Sequence, residues 1–140
     1  MKKLLILQNI EREGAGLFLK IAKGMGFLPE IYNLSLGEKL PKAKKKDLIL
    51  IMGGPMSVRD LNNKNYFWLK EETEFIKRAI ENQISIIGVC LGAQLIAHIL
   101  GGKIERLKDE FNKENKPEIG WSEISSIDDK SNEEISLRLK

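Results

Sequence analysis

The chain has 140 residues, of which 42% are apolar and 31% charged, with a formal net charge of +3. This length fits one domain, and the composition is that of a globular protein, which excludes disordered and fibrous classes. The positive excess is too small to indicate nucleic-acid binding. The apolar runs are far shorter than the roughly 20 residues that span a bilayer. We therefore expect a cytoplasmic protein that binds neither nucleic acid nor membrane.

The elements predicted from the apolar pattern alternate between strands and helices along the first 107 residues. Continuous apolar runs predict strands, and apolar residues at helical spacing predict helices. The predicted strands are 3–7, 28–34, 47–52, 84–89 and 103–107, and the predicted helices are about 17–25, 66–82 and 91–100. This order predicts an α/β fold with a doubly wound, mostly parallel sheet and helices on both faces.

Two further stretches are less informative. The segment 39–46 holds five lysines and one proline, which favours a solvated connection, with an anion-binding patch as the alternative. Beyond residue 107 a strand pair is expected within 117–127, and 128–140 is a poorly defined tail.

One short motif carries chemistry. Gly88, Cys90 and Gly92 form the pattern G-x-C-x-G between a predicted strand and a predicted helix, which is the nucleophile-elbow pattern with cysteine in the serine position. The turn is tight, so side chains two positions from the nucleophile would clash. The helix N-terminus favours a thiolate, and the Leu91 N–H would face a developing oxyanion. The alternative is a buried structural cysteine.

A second glycine-rich loop follows the strand predicted at 47–52. Gly53 and Gly54 precede Pro55, and glycines allow a main chain to approach a ligand closely and to offer another N–H donor. Both loops follow parallel strands, so we expect them at the same edge of the sheet. The alternative is an ordinary turn.

These segments together resemble the class I glutamine amidotransferase family, and within it the stand-alone, GMP-synthase-like branch. The resemblance covers Lys3 to about Ile124 and implies a flavodoxin-like fold. It also implies glutamine as substrate, whose side-chain amide is hydrolysed to release ammonia. The matching segments are LILQNIEREGAGLF (Leu5–Phe18), GGPMSV (Gly53–Val58) with a Trp-bearing helix after it, IIGVCLGAQLIAHILGG (Ile86–Gly102) and PEIGW (Pro117–Trp121).

The resemblance assigns a role to each site residue. Cys90 would form the γ-glutamyl thioester, and the N–H groups of Gly54 and Leu91 would form the oxyanion hole. Gly53 and Gln94 would hold the glutamine, although Gln94 could instead tie its helix to a neighbouring loop. Thiolate chemistry on an amide needs no metal and no organic cofactor, so neither is implied. One cysteine and one histidine also exclude a zinc site of familiar spacing.

The catalytic base that the family places after a later strand is not found in this sequence. The only histidine is His98, with no H-x-E or H-P-E motif after it. His98 lies eight residues beyond Cys90, about 12 Å along a helix, which is too far for proton transfer. We therefore expect one domain over 1–140, truncated before the family's His/Glu segment, with little or no glutaminase turnover alone.

Three interpretations remain open. The chain is an incomplete amidotransferase domain, or half of a split glutaminase whose His and Glu come from a complementing C-terminal chain, or a non-catalytic binding module that keeps the fold. Exposed sheet edges would also favour self-association. A γ-glutamyl peptidase shares the elbow and is a further alternative, and the ammonia acceptor is not encoded in any recognisable motif.

Overall fold

The structure is a computed structural model that describes residues 1–106 together with Gly120, Trp121 and Glu123. The chain divides into two compact units, Met1–Ile104 and Glu105–Lys140. The described strands and helices all lie in the first unit. The expected strand pair within 117–127 and the tail 128–140 lie outside the described residues, apart from those three single positions.

A parallel sheet of four strands forms the centre of the first unit. The strands are β1 (Lys2–Gln8), β2 (Phe27–Asn33), β3 (Leu48–Ile51) and β4 (Ser85–Gly88), arranged in the order β2-β1-β3-β4. Each pair is parallel, with Ile6 opposite Ile31 and Leu50, and Ile51 opposite Gly88. The predicted doubly wound, flavodoxin-like parallel sheet is confirmed.

Helices cover both faces of this sheet. The helices are α1 (Leu17–Gly24), α2 (Trp68–Glu81) and α3 (Leu91–Ile99), and single 3-10 turns lie at Leu34–Leu36, Val58–Asp60 and Lys64–Tyr66. Alternate side chains of the central strands enter two separate cores, so the middle of β1 and all of β3 are apolar. Leu5, Leu7, Ile49 and Ile51 pack with α2 and α3, whereas Leu4, Ile6, Leu50 and Met52 pack with α1.

Two sequence-based expectations differ from the structure. The strand predicted at 103–107 is wrong over the described residues 103–106, which carry no helix or strand. Three of these four residues are charged and one is isoleucine, which is too little apolar surface to fix a strand register. The apolar side chains of α1 form one face as predicted, but only Ala22 is buried. Ile21 is 57% exposed, and Met25, which follows the helix, is 70% exposed.

The fold brings the carboxyl ends of β1, β3 and β4 to one edge of the sheet, as parallel pairing requires. The loops that leave this edge begin at Asn9, Met52 and Val89. Among the described residues, no helix has both the length and the apolar character needed to cross a membrane.

Candidate active site

Cys90 occupies a strained turn between β4 and α3. Its φ is +52° and its ψ is −109°, a combination that side-chain-bearing residues rarely adopt and that costs about 1–3 kcal/mol. The turn leaves Cys90 exposed at the N-terminal end of α3. A buried structural cysteine would not need this conformation, so the local geometry favours the nucleophile interpretation.

The flanking glycines are required by packing at the turn. A Cβ on Gly88 would stand 2.6 Å from the Ala93 backbone nitrogen, and a Cβ on Gly92 would stand 2.8 Å from the Ile51 Cβ. These distances are shorter than real Cβ contacts allow. The steric requirement predicted for the two glycines of G-x-C-x-G is therefore confirmed at both positions.

The second glycine loop lies directly against the nucleophile. A Cβ on Gly53 would stand 3.3 Å from the Cys90 Cβ and 3.8 Å from its Sγ. Gly53 is buried, and Gly54 is half-buried beneath Met56. The two loops expected at one edge of the sheet are thus brought together, with Gly53 as the point of contact.

A network of buried hydrogen bonds holds the start of this glycine loop in place. The Trp68 Nε1–H donates to Asn9 Oδ1 at 2.8 Å. The Asn9 side-chain amide donates in turn to the Met52 carbonyl at 3.3 Å and to Glu72 Oε1 at 3.2 Å. Met52 immediately precedes Gly53, so the network fixes the main chain where the loop leaves β3. All members are buried, which makes each of these hydrogen bonds costly to lose.

Glu72 is the unusual member of this network. Its side chain is fully buried, and burial raises its pKa to about 8, an effect that the hydrogen bond from Asn9 opposes only in part. Its second oxygen, Oε2, has no hydrogen-bond partner among the described residues. The carboxyl group is therefore largely protonated at neutral pH.

A second carboxylate approaches the site from the loop after β1. Glu13 Oε2 lies 2.6 Å from the position that a Gly53 Cβ would occupy, the same point that lies 3.8 Å from Cys90 Sγ. Glu13 is half-buried. Sequence reasoning missed Glu13, Asn9 and Glu72 as site residues. Asn9 and Glu13 lie within the segment Leu5–Phe18 that carries part of the family resemblance, and Glu72 lies one helical turn beyond Trp68, but neither signal assigned them a role.

The remaining predicted site residues lie on α3. The Leu91 side chain is fully buried in the core, which holds its backbone N–H in the unpaired first turn of the helix. Gln94 is half-buried, and its N–H donates to the Cys90 carbonyl at 3.1 Å. His98 is exposed in the last turn of α3, at the far end of the helix from Cys90. The structure therefore does not bring the only histidine to the nucleophile.

Comparison with known proteins shows to which family the chain is similar. The family model of class-I glutamine amidotransferases matches residues 24–138. The putative glutamine amidotransferase-like protein YfeJ of Salmonella typhimurium is 35% identical over 94 residues, covering 66% of this chain and 39% of that protein. A glutamine-hydrolysing GMP synthase subunit of Saccharolobus solfataricus is 31% identical over 113 residues, covering 81% of this chain and 52% of that protein.

Solved structures give the same result. A glutamine amidotransferase from Thermotoga maritima superposes with a TM-score of 0.67 at 26% identity, covering 74% of this chain and 45% of that one. A glutamine amidotransferase from Methylobacillus flagellatus gives a TM-score of 0.64 at 28% identity, covering 76% of this chain and 41% of that one. The chain thus spans about two fifths to one half of the length of these relatives. On these grounds, the chain belongs to the class-I glutamine amidotransferase family.

Proposed function

We propose that this chain carries the nucleophile and the oxyanion loop of a glutamine amidotransferase site. The observation that carries the proposal is the strained, exposed Cys90 packed against Gly53 at the carboxyl edge of the sheet. Strain of this kind persists where the surrounding structure over-determines it, and it clusters at active sites. Glutamine is the substrate that the family membership favours.

The proposed reaction proceeds in two steps. Cys90 Sγ attacks the side-chain amide carbon of glutamine, and the backbone N–H groups of Gly54 and Leu91 stabilise the resulting oxyanion. The intermediate collapses with cleavage of the C–N bond, so ammonia leaves with a proton from a general acid and a γ-glutamyl thioester remains. Water then attacks the thioester and releases glutamate and the Cys90 thiol. Gln94 and Gly53 are proposed to hold the glutamine substrate.

The base that accepts the thiol proton is proposed to come from outside these 140 residues. His98 is the only histidine in the chain, and eight residues of helix separate it from Cys90 by about 12 Å. A complementing chain or segment that carries the histidine and glutamate would complete the site, and we expect low turnover without it. The reduced thiol that this chemistry needs favours the cytoplasm as its location.

Intact-mass analysis after incubation with L-glutamine tests the proposal. Because Cys90 is the only cysteine, a γ-glutamyl adduct on the wild type that is absent from Cys90→Ala identifies the thioester directly. Asparagine, one methylene shorter, is the matched control and should give no adduct. An adduct that persists in Cys90→Ala would contradict the proposal. Ammonia release as fast as that of an intact relative would contradict the need for an external base.

A further inference from the structure

The loop that carries Glu13 is fixed in place beside the nucleophile. The buried side chain of Gln8, 7% exposed, donates from Nε2 to the carbonyls of Ile10 at 3.0 Å and Glu11 at 2.8 Å. The Glu13 N–H then donates to the Ile10 carbonyl at 3.2 Å and closes the turn. These three hydrogen bonds hold the Glu13 main chain at the edge of the sheet where Cys90 and Gly53 meet.

The Glu13 carboxylate has no cationic partner in the part of the chain that the structure describes. The Lys3–Glu30 ion pair lies near the amino end of β1, away from this loop, and among the described residues Glu13 forms no ion pair and no side-chain hydrogen bond. A half-buried carboxylate without a counter-charge is unfavourable, and it attracts a cationic group from a ligand.

Glutamine carries a suitable cation at a suitable distance. Its α-ammonium group lies about 5 Å from the side-chain amide carbon in an extended conformation, since three C–C bonds and one C–N bond separate them. Glu13 Oε2 and Cys90 Sγ both lie within 4 Å of the one point at which a Gly53 Cβ would stand. An amide carbon at Cys90 therefore leaves the ammonium within reach of the carboxylate.

We infer that Glu13 receives the α-ammonium group of the glutamyl substrate. This inference rests on the proposed function and extends it to substrate class. The site would take free glutamine, or a γ-glutamyl compound with an unblocked amino group, and it would reject glutamine whose amino group is acylated, as it is within a peptide. Glu13 is thus a substrate-binding residue that selects on charge.

Affinity labelling of the 140-residue chain tests the inference without requiring turnover. The probe is the glutamine analogue in which a chloromethyl ketone replaces the side-chain amide. The Cys90 thiolate displaces chloride from it, so a C–S bond forms as the C–Cl bond breaks. The comparison reagent is the same compound with an acetylated amino group. Each rate is divided by that variant's rate with iodoacetamide, so that any change in the general reactivity of Cys90 cancels.

The wild type should react with the free-amino reagent at least about tenfold faster than with the acetylated one, as expected for one charge-assisted hydrogen bond. Glu13→Gln should bring this ratio close to one. Glu11→Gln, which removes an exposed charge from the same loop, should retain the wild-type ratio. Glu13→Asp keeps the charge on a side chain that is one methylene shorter. It provides a second test if Glu13→Gln is unstable, and its ratio should lie between that of the wild type and one.

Two results would overturn the inference in distinguishable ways. A wild-type preference that survives in both Glu13 variants would show that another group receives the ammonium, while leaving the glutamine site intact. If the wild type reacts with the glutamine reagent no faster than with chloroacetone, the proposed function itself fails. In that case the inference fails with it.

Discussion

The buried carboxyl group of Glu72 makes a quantitative prediction about stability and pH. Its pKa is raised from 4.5 to about 8 in the folded chain. Between these values the folded state holds a proton that the unfolded state has lost. The free energy of unfolding therefore falls as pH rises from about 4.5 to about 8 and becomes level above that. At about 1.4 kcal/mol for each pKa unit, the loss between pH 5 and pH 8 amounts to about 3 to 4 kcal/mol.

Glu72→Gln removes this dependence because glutamine does not ionise. Urea unfolding of the wild type and the variant at pH 5 and pH 8, followed by circular dichroism, measures the effect. The difference in unfolding free energy between the two proteins should change by about 3 to 4 kcal/mol across this range, in favour of the variant at pH 8. Using the difference cancels the titration of every group that both proteins share.

The control is Glu71→Gln, since Glu71 is the exposed neighbour on the same helix. Its difference from the wild type should stay constant between pH 5 and pH 8. Glu72→Leu provides a second non-ionising variant if glutamine is poorly accommodated. A Glu72→Gln difference that is the same at both pH values would refute the buried, protonated carboxyl group.

Three further predictions follow from single contacts. Gly92→Ala should lower the free energy of unfolding by about 1–3 kcal/mol or prevent folding, because the new Cβ would stand 2.8 Å from the Ile51 Cβ. The control is Gly24→Ala, whose new Cβ would have nothing within 4 Å. It should be neutral or stabilising in the same thermal-unfolding assay. Trp68→Phe should cost about 1–3 kcal/mol in urea unfolding by leaving Asn9 Oδ1 without its buried donor, and an unchanged value would contradict the network. Burial and the neighbouring carboxylate of Glu30 raise the pKa of Tyr32 to about 12, so ultraviolet titration should show one of the two tyrosines ionising late.

Much of the fold could be predicted from the sequence because its determinants are local. Continuous apolar runs marked β1 and β3, whose inner residues are buried on both faces, and also β4, an edge strand whose residues are half-buried or exposed. The predicted bounds of all three strands agree with the structure within one residue. The elbow was predictable for the same reason. Gly88 and Gly92 each lie two positions from Cys90, and the structure shows that a side chain at either position would clash with neighbouring atoms.

The parts that were missed depend on contacts between distant residues. Asn9 and Glu72 are 63 positions apart in the sequence and are joined by one hydrogen bond. A contact of this kind produces no periodic pattern in the sequence. The approach of Glu13 to Gly53 likewise depends on a loop conformation that Gln8 holds. The exposed face of α1, with Ile21 at 57% exposure, shows that an amphipathic pattern identifies an apolar stripe without identifying what covers it.

Glutamine protection of Cys90 is the measurement that tests the proposed site most directly, because it requires binding but no catalytic base. The rate of alkylation by iodoacetamide is measured on the wild-type chain with increasing L-glutamine, and with asparagine as control. The lone cysteine makes the thiol signal specific to Cys90. We predict that glutamine slows alkylation in a saturable manner and that asparagine does not. Alkylation that proceeds at the same rate at every glutamine concentration would contradict a glutamine site at this elbow.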